Sequence, residues 1–209
     1  MRKRRWNWSK VLVFLLGLAP FFWLAWRAWN HRLTANPTEF ITHYTGDWTL
    51  RLIIIGLFVT PLRKILNLPN LIRYRRMIGL FAFFYGCLHF LTYICVDRYF
   101  DLSDVGADIA KRRYITVGFT GFLLLIPLAV TSTTGWIRRL GGKRWQRLHR
   151  LVYFTAVCGV VHYYWLVKSD IRLPVFYGFL VALLLGWRLW SRTKTSAPPV
   201  LRKQAPAAV

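Results

Sequence analysis

The 209 residues carry a formal net charge of +23, yet 56% of them are hydrophobic and 17% are aromatic. Soluble domains seldom contain apolar runs as long as those found here, whereas a protein that crosses the bilayer several times requires them. The basic residues form short clusters between the apolar runs, which is typical of membrane topology signals and not of a nucleic-acid-binding face. The composition therefore predicts a membrane protein in contact with the lipid bilayer and excludes nucleic acid as a partner.

Six apolar runs predict membrane-spanning helices, because about twenty helical residues cross a hydrocarbon core of about 30 Å. The predicted spans cover residues 11–29, 48–62, 77–96, 114–133, 148–167 and 174–190. The first resembles a secretory signal peptide, but no small-x-small cleavage site follows it, and we interpret it as an uncleaved span kinked at Pro20. The second is short and carries Arg51 near one end.

The connections between the spans are short, so consecutive helices are predicted to be antiparallel neighbours in one bundle. The predicted fold class is all-α, an integral membrane bundle of six transmembrane helices that forms a single domain over residues 1–195. The Pro/Ala-rich residues 196–209 are predicted to be a disordered cytoplasmic tail. The three cysteines all lie inside apolar runs without metal-ligand spacing, which indicates small buried hydrophobic residues.

The basic residues also predict the orientation of the bundle. With the N-terminus inside, the inner segments 1–10, 63–76, 138–150 and 188–203 hold 5, 5, 6 and 5 Lys/Arg residues, or 21 of the 30. This excess satisfies the positive-inside rule. We therefore expect a multi-pass membrane protein with both termini in the cytoplasm.

Two histidines lie deep inside predicted spans, His89 in the third and His162 in the fifth. Such side chains are costly at membrane depth and are functional-site candidates by default. Both spans run outward, and each histidine lies 13 residues beyond the inner start of its span, at Arg76 and His149 respectively. At 1.5 Å per residue both histidines lie about 20 Å above the inner boundary, at one depth in the outer half of the bilayer.

Small residues share the helix faces of these histidines. Gly79, Ala82 and Gly86 lie on the His89 face, and Thr155 and Gly159 lie near His162. Close helix packing alone would also explain small residues. Together with two histidines at one depth, they favour a planar cofactor between the helices, and we predict that His89 and His162 are axial ligands of haem iron. Zinc is disfavoured because no further ligand stands at that depth.

Three residues near the predicted inner surface are further candidates. His149 is either a ligand of a second haem, a flavin-site residue, or an interfacial histidine in a basic turn. It lies about 140° from the His162 face of a regular helix, and the position that would pair with it holds Arg75. Arg75 and Arg76 are candidates to neutralise haem propionates, a quinone oxygen or an FMN phosphate, and ordinary positive-inside anchoring is the alternative. His31 and His43 are predicted to lie in the first outer loop and not to be ligands.

Several motifs resemble those of the haem-binding membrane subunit of the bacterial periplasmic methionine sulfoxide reductase system, the MsrQ family of ferric-reductase-like transmembrane proteins. They follow in order over about residues 10–190: HYTGDW (43–48), TPLRK (60–64), LIRYRRMIGL (71–80), the His89 region, TST (131–133), GGKRWQRLHRLVY (141–153) and VHYYWLVK (161–168). The resemblance implies His89 and His162 as haem b ligands, with one haem or two, and His149 as a further candidate. A bound FMN is typical of the family.

The resemblance further implies electron transfer from the quinone pool, or from a cytosolic flavin reductase, to a periplasmic molybdopterin-containing methionine sulfoxide reductase. The chain itself would be a redox subunit, with catalysis on its partner. The third span carries no second histidine, which departs from the four-histidine pattern of larger ferric reductases. No G-x-G-x-x-G motif follows a strand, so we do not expect hydride uptake from NAD(P)H by this chain alone. The alternatives are a proton or ion pathway that uses the histidines as relays, and a non-redox membrane anchor.

Overall fold

The computed structural model describes residues 8–167 and 169–195, and the predicted tail 196–209 lies outside them. The described residues contain helices and turns but no strand, so the all-α prediction is confirmed. The α-helices are α1 (Trp8–Trp29), α2 (Pro37–Ile65), α3 (Ile72–Thr92), α4 (Leu102–Lys111), α5 (Arg113–Val130), α6 (Thr134–Leu148), α7 (Leu151–Leu166) and α8 (Arg172–Thr195). A 3₁₀ turn, Pro69–Leu71, precedes α3, and a π-helical turn, Tyr93–Asp97, follows it.

The six predicted spans coincide with α1, α2, α3, α5, α7 and α8. By length and composition, Trp8–Trp29, Pro69–Asp97, Arg113–Val130 and Arg172–Ser191 can each cross a membrane, and α7 is a shorter apolar helix. Their outward-facing apolar side chains stay exposed, as lipid contact requires; Leu12, Phe22 and Phe179 are examples. The periodicity did not predict two further helices, α4 and α6, which lie in the connections.

The second helix begins earlier than the sequence predicted. The Asn36 side chain accepts a hydrogen bond from the Glu39 amide at 3.3 Å, and Pro37 occupies the first turn, where its missing N–H costs nothing. Both features start a helix eleven residues before the apolar run. The placement of His43 in a loop was therefore wrong, because His43 lies within α2. His31 does lie in the connection between α1 and α2.

The centre of the molecule is a four-helix bundle of α2, α3, α5 and α7. The closest pairs are α2 with α3 and α5 with α7, while α1 packs on α3, and α8 packs on α7 and α2. Apolar side chains of the bundle, such as Leu57 and Ala82, are almost completely buried. Because the spans alternate in direction, the bundle has two distinct ends. We call the end with segments 63–76 and 138–150 the basic end, and the end towards which all seven acidic residues lie the acidic end.

Pro20 interrupts the backbone hydrogen bonding of α1, and the Tyr85 hydroxyl of α3 provides replacement hydrogen bonds. The Tyr85 hydroxyl accepts a hydrogen bond from the Phe21 amide at 3.0 Å and donates one to the Gly17 carbonyl at 2.8 Å. A proline leaves backbone groups of the preceding turn without their usual partners, and a buried group without a partner costs about 1–3 kcal/mol. The completely buried Tyr85 therefore fixes α1 to the central bundle.

Candidate functional site

Two cavities lie inside the central bundle, one towards each end. The acidic-end cavity has a volume of about 440 Å³ and is lined by His89 and His162 among residues of all four central helices. The basic-end cavity has a volume of about 420 Å³ and is lined by Arg75, Arg76 and His149. Both volumes lie in the range typical of cofactor sites, about 300–1,000 Å³. The structure thus divides the five predicted site residues between two compartments.

Backbone carbonyl groups of neighbouring helices orient the two membrane histidines. The Nδ1 atom of His89 lies 2.9 Å from the Thr42 carbonyl oxygen of α2. The Nδ1 atom of His162 lies 2.7 Å from the Tyr114 carbonyl oxygen of α5. A carbonyl only accepts, so each Nδ1 carries the proton and donates it, which leaves the Nε2 lone pair free. Metal-ligating histidines are usually held in this way by their second nitrogen.

The imidazole rings of His89 and His162 are neighbours in the wall of the acidic-end cavity. Their centroids are 6.1 Å apart, and the ring planes are inclined at 83°. A metal–imidazole bond is about 2 Å long and the nitrogen lies about 1.2 Å from its ring centroid, so two axial imidazoles on one metal have centroids roughly 6 Å apart. The observed separation fits a single iron between the rings. The equal depth predicted from the sequence agrees with this placement.

Two glycines make room for these rings. A methyl group placed on Gly118 of α5 would lie 2.5 Å from the Nδ1 atom of His162, closer than any real contact. One placed on Gly46 of α2 would lie 3.1 Å from the His89 ring. Each histidine therefore packs against a bare backbone on the helix that also supplies its carbonyl acceptor.

The predicted small-residue faces only partly serve this site. Gly86, Thr155 and Gly159 line the acidic-end cavity. Gly79 and Ala82, which were predicted to share the helix face of His89, line the basic-end cavity instead. The small residues on one face of α3 therefore line both cavities, Gly86 the acidic-end cavity and Gly79 and Ala82 the basic-end cavity.

A carboxylate clamp closes the acidic end of the bundle beside the first cavity. Asp108 of α4 is buried and accepts a hydrogen bond from the Tyr93 hydroxyl at 3.0 Å. It also forms ion pairs with Arg112, whose Nε lies 3.1 Å from Oδ1, and with Arg98. Arg98 and Arg112 themselves line the opening of the cavity. The clamp joins α4 to the π-helical turn after α3 and to the start of α5.

His149 has surroundings unlike those of His89 and His162. It ends α6, its ring packs on Trp145 with centroids 3.9 Å apart, and its Nε2 atom lies 3.1 Å from the Thr131 hydroxyl. Trp145 in turn donates from Nε1 to the Thr131 carbonyl at 2.9 Å. No second histidine lines the basic-end cavity among the described residues. The structure therefore shows a bis-histidine arrangement only for His89 and His162.

The basic-end cavity is strongly cationic. Arg75, Arg76 and Arg150 line it together with His149 and the Tyr153 ring. The sequence has no Asp or Glu between residues 48 and 96 or between 109 and 169, so no carboxylate of those segments neutralises them. The described residues also contain no cluster of three or more His, Cys, Asp or Glu side chains able to hold a metal ion. The cavity is suited to an anionic or hydrogen-bonding group.

Comparison with known proteins identifies the family. Residues 45–160, more than half of the chain, match the ferric reductase like transmembrane component. The chain is 50% identical to the protein-methionine-sulfoxide reductase heme-binding subunit MsrQ of Caulobacter vibrioides, covering 89% of both chains. It is 50% identical to the same subunit of Herminiimonas arsenicoxydans over 90% of this chain and 89% of the relative. The subunit of Azospira oryzae is 49% identical, covering 95% of this chain and 85% of the relative.

The chain belongs to the MsrQ family. The resemblance predicted from the motifs is thereby confirmed, and the matched region contains His89 and His149 but stops two residues before His162. Within this MsrQ-family bundle, sequence reasoning missed Gly46, Gly118 and the two carbonyl acceptors. Gly46 follows three residues after His43 in the HYTGDW motif, which was the available signal, but nothing in the sequence links Gly118 to His162.

Proposed function

We propose that this chain is a haem b electron-transfer subunit of a protein-methionine-sulfoxide reductase system. The observation that carries the proposal is the His89–His162 pair, whose Nδ1 atoms are held by carbonyls and whose rings stand 6.1 Å apart. The relatives from Caulobacter vibrioides and Herminiimonas arsenicoxydans are named as heme-binding subunits of such a system. A haem held there by His89 and His162 would supply one-electron chemistry.

The residues of the chain determine how such a cofactor is held. The Thr42 and Tyr114 carbonyls fix the tautomer and rotation of the two ligands, and Gly46 and Gly118 let the rings approach their helices. The apolar wall of the cavity, which includes Phe122 and Leu125, would exclude water from a cofactor bound there. Axial ligation, burial and nearby charge are the levers that set a haem potential.

We further propose His149 as a second haem ligand or a flavin contact in the basic-end cavity, with Arg75 and Arg76 binding propionate or phosphate groups. The chain would lie in the bacterial inner membrane with both termini in the cytoplasm, as the basic clusters favour. Electrons would come from the quinone pool or a cytosolic flavin reductase. They would pass through the acidic-end haem to a periplasmic molybdopterin-containing reductase.

Haem spectra of histidine variants test the central proposal. The purified chain should be red and show a low-spin bis-histidine haem b spectrum, which His89→Ala and His162→Ala each abolish. His43→Ala is the matched control, because His43 lines the same cavity but makes no hydrogen bond of the kind that holds the other two. A folded, colourless preparation from haem-replete cells would overturn the proposal.

Transfer to the partner needs a separate assay. Membranes containing the chain, supplied with a reduced quinone or with a flavin reductase and its substrate, should reduce the purified methionine sulfoxide reductase. Membranes carrying His162→Ala should not. A donor that does not reduce the partner in membranes containing the unaltered chain is excluded as the electron donor of this chain.

A further inference from the structure

The basic end of the bundle carries positive charge that no nearby carboxylate compensates. Three arginines, Arg75, Arg76 and Arg150, line the basic-end cavity, and a fourth, Arg188, lies behind its wall. The chain has no acidic residue between 48 and 96, between 109 and 169, or after 170. Arg76 and Arg150 are exposed, whereas Arg75 is only partly exposed and Arg188 is buried. Cations inside a membrane bundle are costly unless they are paired, so Arg75 and Arg188 call for an anion that the chain itself does not supply.

Arg188 of α8 is the most deeply buried of these cations, with 7% of its surface exposed. Its Nη2 atom donates to the Leu57 carbonyl at 2.8 Å and contacts the Thr60 hydroxyl at 3.3 Å. Pro61 explains the free carbonyl, because a proline cannot donate the helical hydrogen bond to the residue four positions earlier. The guanidinium is thus held by neutral oxygens only, and its Nε has no partner among the described residues.

The remaining hydrogen bond of Arg188 is made to Tyr153, which lines the basic-end cavity. Its Nη1 atom donates to the Tyr153 hydroxyl oxygen at 2.6 Å, and its guanidinium lies over the Tyr153 ring. Arg75 lines the same cavity as Tyr153. A guanidinium can only donate, so the phenolic proton of Tyr153 is not used in the hydrogen bond with Arg188. Tyr153 lines the basic-end cavity, and this O–H is available to a ligand there.

We propose that Tyr153 and Arg75 form a subsite for an acidic group, a carboxylate or a phosphate, of a cofactor in the basic-end cavity, and that Arg188 is the positioning residue that orients the Tyr153 hydroxyl. The hydroxyl donates to the acidic group, and the guanidinium groups of Arg75 and Arg188 compensate its charge. This subsite refines the proposed function, on which it depends for the nature of the cofactor. The acidic group belongs either to a haem propionate or to the phosphate of FMN.

Matched ligand pairs test the subsite directly. The full-length chain with the His162→Ala substitution, produced in haem-depleted cells, is titrated with haemin and haemin dimethyl ester, and separately with FMN and riboflavin. Within each pair only the acidic group differs. We expect the chain to prefer the acidic member of one pair about ten- to hundredfold, the range for a hydrogen bond to a charged group. Preference in the haemin pair identifies a propionate, and preference in the FMN pair identifies a phosphate.

Tyr153→Phe and Arg188→Leu should each remove most of that preference while leaving the affinity for the neutral member unchanged. Tyr164→Phe, an exposed tyrosine of the same helix, and Arg138→Gln, an exposed arginine of the same end, are the matched controls and should retain it. If Arg188→Leu does not fold, Tyr153→Phe decides the matter, because it deletes a single oxygen atom.

Two results would overturn the subsite. One is a chain that binds the acidic and neutral members of both pairs equally. The other is a Tyr153→Phe variant that keeps the full preference. Because the His162→Ala background lacks the acidic-end ligand pair, either result is independent of whether His89 and His162 bind haem. The spectra of the otherwise unaltered chain answer that separate question.

Discussion

Gly118 on α5 lies directly against the imidazole of His162 on α7, at a distance that no side chain tolerates. A methyl group at residue 118 would lie 2.5 Å from Nδ1 and 2.9 Å from Cε1 of the ring. The His162 ring would have to rotate away, and its hydrogen bond to the Tyr114 carbonyl would be lost. The absence of a side chain at this position is therefore part of the proposed ligand geometry.

We expect Gly118→Ala to lose most of its haem while the protein still inserts in the membrane. Overpacking of this kind costs about 1–3 kcal/mol. Gly46→Ala should lose less, because its methyl group would meet the His89 ring at 3.1 Å. Gly106→Ala, where nothing lies within 4 Å, should keep its full haem content. Pyridine haemochrome assays of the three purified variants measure the series, and an equal haem content in all three would contradict it.

The inclination of the two imidazole planes predicts a spectroscopic signature. The planes of His89 and His162 are 83° apart. Perpendicular axial planes leave the two iron d orbitals that bond with them nearly equal in energy, which gives a ferric low-spin signal with one very large g value. We expect that signal in electron paramagnetic resonance of the oxidised protein. Three well-separated g values, which are typical of parallel imidazole planes, would show that the ligands rotate when haem binds.

The sequence predicted the parts of this site that follow from helical periodicity. The spacing placed His89 and His162 at one depth, and the apolar runs gave the six spans. The sequence could not predict that Gly118 contacts His162, because the two residues are 44 positions apart and meet only when α5 packs on α7. It also placed His43 in a loop, because hydropathy marks the apolar part of α2 and not its polar first turns, which are held by the Asn36 cap.

The Tyr85 hydroxyl should contribute to stability without contributing to haem binding. In Tyr85→Phe the Phe21 amide and the Gly17 carbonyl lose their partner beside Pro20. We expect the free energy of unfolding to fall by about 1–3 kcal/mol. Thermal unfolding in detergent, followed by tryptophan fluorescence, measures the effect against the control Tyr164→Phe. Because α1 packs outside the four central helices, the haem content per chain should not change.

Asp108 should hold the acidic end closed. Asp108→Asn leaves Arg98 and Arg112 without their carboxylate, and breaking a largely buried ion pair costs about 3 kcal/mol. We expect faster trypsin cleavage at these two arginines in solubilised protein. Asp104→Asn, an exposed acidic residue of the same helix, is the control and should be cleaved at the original rate. Equal cleavage of both variants would show that the clamp does not hold the connection between α3 and α5.

The membrane orientation predicted from the basic clusters can be tested by labelling single residues at the two ends of the bundle. Ser103 lies at the acidic end and Gly142 lies at the basic end, and both are exposed. If the basic end faces the cytoplasm, a membrane-impermeant thiol reagent added to spheroplasts should label Ser103→Cys and not Gly142→Cys. Opening the membrane should make both reactive, which shows that the protected cysteine is accessible once the barrier is removed.

The parent chain, whose three cysteines lie in helices or in the π-helical turn and are at least partly buried, gives the background labelling. The reverse labelling pattern would place the His89–His162 pair near the cytoplasmic surface, and delivery of electrons to a periplasmic partner would then have to start from the basic-end cavity.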